Sequence, residues 1–200
     1  MAEGSGNGFF STLCKPSVKY SLGALLVVGV VLGVVGWGGF NTMMEATNTE
    51  AFCISCHEMK DNVYEEYKKT IHYNNRTGVR ATCPDCHVPK EWVHKFARKI
   101  QASNELLHHF LGTIDTREKF EGTRSQLAVN VWKTMQATDS RECRNCHAFN
   151  YMDMTKQDRR AQRRHDQAVQ EKKTCIECHK GVAHEMPADA DEAMKKAGIK

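Results

Sequence analysis

CISCHEM, residues Cys53–Met59, decides how the rest of the chain is read. Two cysteines three apart with a histidine directly after them can grip zinc, cycle as a dithiol or carry a haem. Met59, two residues beyond His57, adds a second kind of iron ligand. The frame recurs as CPDCH (Cys83, Cys86, His87), CRNCH (Cys143, Cys146, His147) and CIECH (Cys175, Cys178, His179). One C-x-x-C is a weak signal. C-x-x-C-H is the attachment signature of haem c, in which both thiols bond to the porphyrin edge and the histidine binds the iron from one face. Zinc ribbons pair their frames into four ligands and need no histidine after each. A disulfide scaffold would not repeat that histidine either. Eight of the nine cysteines lie in the frames, so the sequence predicts four covalently bound haem c groups. The ninth, Cys14, reads as a bystander thiol, because no lipidation pattern surrounds it.

The frames form a repeat. Their histidines are separated by 30, 60 and 32 residues, which reads as two pairs. Each pair has a lone histidine between its frames, His72 and His165. Each has another after its second frame, His94 and His184. A low-spin transfer haem needs a sixth ligand, commonly His or Met, so these four are the distal candidates. His108 and His109 are adjacent and have no counterpart in the other half; they read as polar surface.

Residues 41–200 are poor in aliphatic side chains and show no strand-like alternation. The fold class is therefore mainly α, a helical wrapper around macrocycles that replace an aliphatic core. Repeat halves fall at about 50–110 and 140–187. Irons crowded this closely pass electrons from one to the next, so the natural task is conduction. In KEWVHKFARKIQASNELLHHFLG, Val93, Phe96, Ile100, Leu107 and Phe110 recur near helical spacing. A second helix is expected over Arg117–Met135 and a third in the Arg-rich stretch Thr155–Lys173. That stretch reads either as an ordinary solvated helix or as a dock for an acidic partner. The closing DADEAMKKAGIK reads as frayed or weakly helical.

Ahead of the frames lies SLGALLVVGVVLGVVGWGGF, Ser21–Phe40, twenty uncharged residues. At a helical rise they cover about 30 Å, a bilayer core. Signal-peptide h-regions are shorter, about 7–15 residues, and NTMMEATNTE, which follows, offers no good cleavage site. The expected layout is a leader over 1–19, a transmembrane anchor over 20–40 and a haem domain over 41–200. Lys15 and Lys19 precede the run; Glu45 and Glu50 follow it. The basic flank stays in the cytoplasm, which places residues 41–200 in the periplasm, outside a bacterial inner membrane. Gly29 and Gly33 sit four apart, as in anchors that pair into a homodimer. A formal charge of +4 without a basic–aromatic platform gives no support for nucleic acid.

The anchor, CISCHEM, HYNNRTGVRATCPDCHVP, GTIDT, ECRNCH and TCIECHKGVAH together resemble the NapC/NirT family of membrane-anchored tetrahaem cytochromes, from Lys15 to about Pro187. The resemblance implies oxidation of membrane quinol, menaquinol or ubiquinol, and electron delivery to a periplasmic reductase. It is nearest to the NapC branch, which feeds nitrate reductase; no fifth frame is present, as the trimethylamine-oxide and dimethyl-sulfoxide branches carry. In the related nitrite-reductase partner proteins the methionine of C-x-x-C-H-x-M holds the first iron. That position is Met59 here, so the resemblance favours Met59 where ligand chemistry favours His57. It also implies a carboxylate matching Glu105 and a basic residue matching Lys99 or Arg98 at the quinol site, where Glu105 would take the proton. The bland alternative for these three charges is a solvated helix face. The chain departs from the family at Lys90, where CHVPH would carry a histidine. His94, one helical turn on, is the available substitute. A rival reading is a haem wire and anchor without a quinol site of its own, feeding a nitrite or other reductase.

Overall fold

The computed structural model describes residues 16–199, so Cys14 and Lys15 lie outside the described residues. The chain divides into two units at Ala46. The first is helix α1, Leu22–Ala46. Ser21 starts it, its hydroxyl accepting from the Ala24 N–H at 3.3 Å. Its 25 residues cover about 37 Å at 1.5 Å per residue. It is apolar all round, with a mean hydropathy of 2.2 over its best window and none of that window buried. A span with no polar face and no buried side chain is built for lipid. It continues past Phe40, the expected end, because Asn41 and Thr42 bond back to the carbonyls of Trp37 and Gly38.

The second unit starts at Thr47 and consists of helices joined by turns and loops, with no strand among the described residues. Its elements are α2 (Glu50–Cys53), a π-wound turn (Met59–Tyr64) tightening into α3 (Glu65–Tyr67), α4 (Cys83–His87), α5 (Trp92–Phe110), α6 (Arg117–Ala137), α7 (Arg141–Arg144), α8 (Arg159–Gln170), α9 (Cys175–Cys178) and α10 (Ala190–Ala197). The three longer helices begin close to where the periodicity puts them. α8 starts late because Asp158 caps it, accepting from the Arg160 and Ala161 N–H groups. α10 is a true helix rather than a frayed tail: Gly198, with φ +68°, ends it.

Buried apolar residues are few. The one buried apolar cluster among the described residues joins α6 (Val129, Trp132), α9 (Ile176) and α10 (Ala190), with Met135, Met194 and Ile199 at its edge. α10 thus folds by covering α6, which no local propensity announces. Between the first two frames, Tyr64, Tyr67 and Tyr73 pack edge to face, and the Arg80 guanidinium lies 4.2 Å from the centre of the Tyr73 ring. Tyr67 donates to the Ala81 carbonyl. Arg80 also pairs with Glu50 at 2.5 Å, fastening the loop onto α2.

By contrast α5 buries nothing fully. Val93, Ile100, Leu107 and Phe110 stand exposed along it, and Trp92 stacks on Phe96. Cutting Trp132 to alanine removes the largest side chain of the α6–α9–α10 cluster. We expect a loss of about 3–5 kcal/mol and a melting midpoint lower by roughly 10 °C, read by circular dichroism. A shift of under a degree would mean that this cluster does not hold α10 and α9 in place.

Candidate haem centres

The second and fourth frames each lie on one short helix, which sets both cysteines three apart on one side, whereas in the first and third the helix carries the first cysteine and the second follows in the turn after it. Two frames share a device for starting that turn. Thr82 and Asp85 cap α4 reciprocally, and Thr174 and Glu177 cap α9 in the same way. α2 starts at Thr49, whose hydroxyl accepts from the Phe52 N–H. The third frame is held differently. Asp139 and Ser140 adopt left-handed φ values of 53° and 49°. Ser140, fully buried, accepts the Ile176 N–H at 3.1 Å and so ties the third frame to the fourth.

The frame histidines do not stand alone. His87 lies beside His184 with ring centres 6.2 Å apart, and His147 beside His72 at 6.3 Å. His179 lies beside His165 at 5.9 Å, and His57 beside His109 at 6.0 Å. Metal–imidazole bonds of about 2.0–2.1 Å, plus roughly 1.1 Å from nitrogen to ring centre on each side, put two rings about 6.3 Å apart across one metal. The four separations match an iron held between paired imidazoles. The non-frame partner of each pair also has its Nδ1 engaged. His72 meets the Val182 carbonyl at 3.3 Å, His184 the Val63 carbonyl at 3.2 Å, His165 the Gln157 side-chain oxygen at 2.6 Å and His109 the Glu58 carboxylate at 2.7 Å. Engaging Nδ1 orients the ring and leaves Nε2 for a metal. Burial, and then the nearby His184 and Arg98, hold His87 down to about 4, so it stays neutral as a ligand must.

His94 has no such place. Its Nε2 faces Glu91 at 3.3 Å on the exposed side of α5, and no frame histidine lies next to it. The structure brings His109 to the first frame instead. The tandem pattern hid this: it marks a histidine after the second frame, whereas α5 carries its first-frame histidine just over four turns further along. His108 contacts Thr113 and faces no frame histidine. Met59 opens the π-wound turn and is half-buried.

The frames stand in order. α2 packs on α4, and α4 on α7. The Cys53 and Cys83 thiols are neighbours, and Cys83 draws the Cys53 thiol down to about 7. Burial, and then the neighbouring thiols of Cys143 and Cys146, push Cys86 up to about 11. Burial, and then Cys175, push Cys143 up. First, second, third and fourth frames thus form a series of neighbours.

Two buried carboxylates, neither marked by the sequence reading, support the pairs. Glu58, 3% exposed, accepts from His109 through Oε1, also lies 3.5 Å from His57 Nε2, and leaves Oε2 without a partner. Glu66 receives both Arg124 amino groups at 2.7 and 2.6 Å. Arg124 also donates to the Glu185 carbonyl, and the Glu185 N–H donates to Glu66. The clamp therefore grips both backbone groups of the residue following His184.

Arg98, Lys99 and Glu105 of α5 are already partnered. Arg98 bonds Glu105 at 2.6 Å. Lys99 donates to the Thr47 carbonyl and hydroxyl and lies over the Phe52 ring. Lys99 and Glu105 are near enough to act electrostatically on Cys53, which places them at the first frame. Arg98 acts on His87 of the second.

Paired cysteines, paired imidazoles at iron spacing and a sparse apolar interior fit haem c. The chain matches the NapC/NirT cytochrome c family, N-terminal region, over residues 15–189. It belongs to that family. The cytochrome is 57% identical over 197 residues to the denitrification system component NirT of Stutzerimonas stutzeri, covering 96% of this chain and 98% of that one. It is 58% identical to the cytochrome c-type protein NapC of Escherichia coli strain K12, over 84% of each chain. The cytochrome c-type protein TorC of the same strain is 41% identical over 179 residues, which are 89% of this chain and 46% of that one. No solved structure matches. The cytochrome is thus a membrane-anchored, multihaem electron-transfer protein.

The Glu66–Arg124 clamp is open to test. Burial works against the Glu66 charge, but Arg124 and the Glu185 N–H hold its pKa below the usual carboxylate range. A lowered folded pKa gives stability that is present above the unfolded pKa, about 4.3, and is lost as pH falls through the folded value. Arg124→Ala is expected to cost about 3–5 kcal/mol at pH 7, since it strands a buried charge. In denaturant titrations that cost should shrink below about pH 4. An equal cost at pH 7 and pH 3 would remove the ion pair from the account.

Proposed function

We propose that the cytochrome carries four haem c groups, oxidises membrane quinol beside the first frame, and delivers the electrons to a soluble reductase in the periplasm, nitrate reductase being the favoured acceptor. What supports this is the continuous series of four cysteine–histidine frames, each facing a second histidine. The series begins next to α5, whose exposed apolar side is suited to a membrane surface.

In this reading Cys53/Cys56, Cys83/Cys86, Cys143/Cys146 and Cys175/Cys178 attach the groups. His57, His87, His147 and His179, each with its neighbour His109, His184, His72 or His165, would hold the irons. Bound haem supplies one-electron acceptance at each frame. The chain does the rest. Trp92, Phe96 and Ile100 admit an apolar ring from the lipid side. Lys99 orients a quinol oxygen at the first frame. Glu105, loosened from Arg98, takes the two protons of the quinol hydroxyls one after the other, one for each electron given up, and passes each to water, and Arg98 re-engages the free carboxylate. The NapC-like name of one relative favours nitrate reductase, and the NirT name of another points to a nitrite or other denitrification partner.

The first-frame ligands can be read spectroscopically. His109→Ala should convert one iron to high spin in low-temperature EPR, and His94→Ala should leave all low-spin signals intact. Conversion by Met59→Leu instead would return the ligand to the methionine.

Quinol oxidation is tested with purified cytochrome in detergent and a quinol analogue. Reduction without any partner is the expected result. Glu105→Gln should then slow it at least about tenfold with haem spectra unchanged. The closed Arg98–Glu105 pair favours a second reading, in which the helix is merely a solvated face and a separate dehydrogenase loads the chain. That reading prevails if the wild type is not reduced by quinol alone.

A further inference from the structure

A series of electron carriers needs a place to hand its electrons on, and the fourth frame has a distinctive neighbour. α8 carries Arg159, Arg160, Arg163 and Arg164, all exposed. Arg160, Arg163 and Arg164 line one open hollow together with Gln167. At about 100° per residue these side chains share one side of the helix, and His165 lies on the other, roughly 150° away. His165 is the partner of His179 in the fourth frame. One helix thus presents a ligand candidate inward and guanidinium groups outward.

The charge forms no close ion pair among the described residues. Arg80, Arg98, Arg124, Arg141 and Arg144 each grip a carboxylate. Among the described residues, no carboxylate lies within ion-pair distance of the four arginines of α8. The nearby acids are largely spent: Asp158 caps the helix, and Glu171 binds Lys173 and Gln167. Asp166 stands exposed on the helix. From 158 to 173 six Arg and Lys residues face three acids, so most of the chain's net +4 lies in this one segment. A helix made to lie on lipid sets a broad apolar face beneath its cations. α8 offers only Ala161, Ala168 and Val169.

We propose that the arginine side of α8 is the docking surface for the soluble electron acceptor, which meets it with an acidic face and takes electrons from the fourth frame. This rests on the electron-transfer reading above and adds the chemistry of the partner. Guanidinium forks take carboxylates in pairs, and an unpaired basic patch raises the encounter rate of an acidic partner by tenfold or more at low salt. The distance from patch to frame is one helix, about 10 Å across.

The test uses the full-length cytochrome in detergent, reduced with dithionite and freed of excess. It is mixed in stopped flow with hexacyanoferrate(III) or with tris(phenanthroline)cobalt(III). Each oxidant takes one electron, the first giving hexacyanoferrate(II) and the second the cobalt(II) complex. The variant Arg160→Glu/Arg163→Glu/Arg164→Glu should lower the rate constant for the anionic oxidant about tenfold at low salt, with no loss for the cationic one. Replacing the same three by lysine should preserve both rates. No change, or an equal fall with both oxidants, overturns the proposal. So does an anionic-oxidant rate that collapses when the wild type is placed in phosphatidylglycerol discs but not in phosphatidylcholine discs, because the patch then faces lipid.

With purified periplasmic nitrate reductase as acceptor, the glutamate variant should be slowed by a similar factor and lose its salt dependence. If the wild type reduces hexacyanoferrate(III) but not the nitrate reductase, the nitrate-reductase reading falls. The patch is then still judged by the ratio of the two small oxidants.

Discussion

The spacing between two imidazole rings governs this molecule. A chain with so few buried apolar side chains cannot offset the entropy of ordering itself by ordinary packing. What it has instead are four sites where a frame histidine and a second histidine stop about 6 Å apart, with two cysteines alongside. The caps at Thr82 and Thr174, the left-handed turn at Ser140 and the clamp on Glu185 all serve to hold rings at that distance. Such spacing without a group to fill it would be a costly void.

The pairs also explain why two sequence halves make one body. His72 lies between the first and second frames yet meets His147 of the third; His184 follows the fourth frame yet meets His87 of the second. Each half lends a ring to the other. Among the described residues, the fourth frame alone adds a buried apolar cluster to its support, which suits a position at the end of the series.

Much of this was legible in the residues. C-x-x-C-H announces its own chemistry, and the longer helices follow from apolar spacing and from caps such as Thr116 and Asp158. His72, His165 and His184 could be picked out because each stands alone near a frame. His109 could not. It is one of two adjacent histidines at the end of an amphipathic helix, and only the fold of α5 across the first frame distinguishes it from His108 and His94. The same limit applies to Glu66 and Arg124, which lie 58 residues apart and carry no local mark of partnership. α10 looked weak because its stability resides in the surface of α6. Long-range contacts, not local preferences, decide these cases.

The crossing of rings between halves has a bearing on how the protein is made. His184 lies 97 residues beyond His87. A polypeptide made from its N-terminus completes the second frame long before its opposite ring exists. Closing so wide a loop is slow, and topology of this kind favours late, concerted locking over stepwise growth. The segment that carries His184 is therefore the bolt: until it arrives, a frame formed early in synthesis stays unfinished.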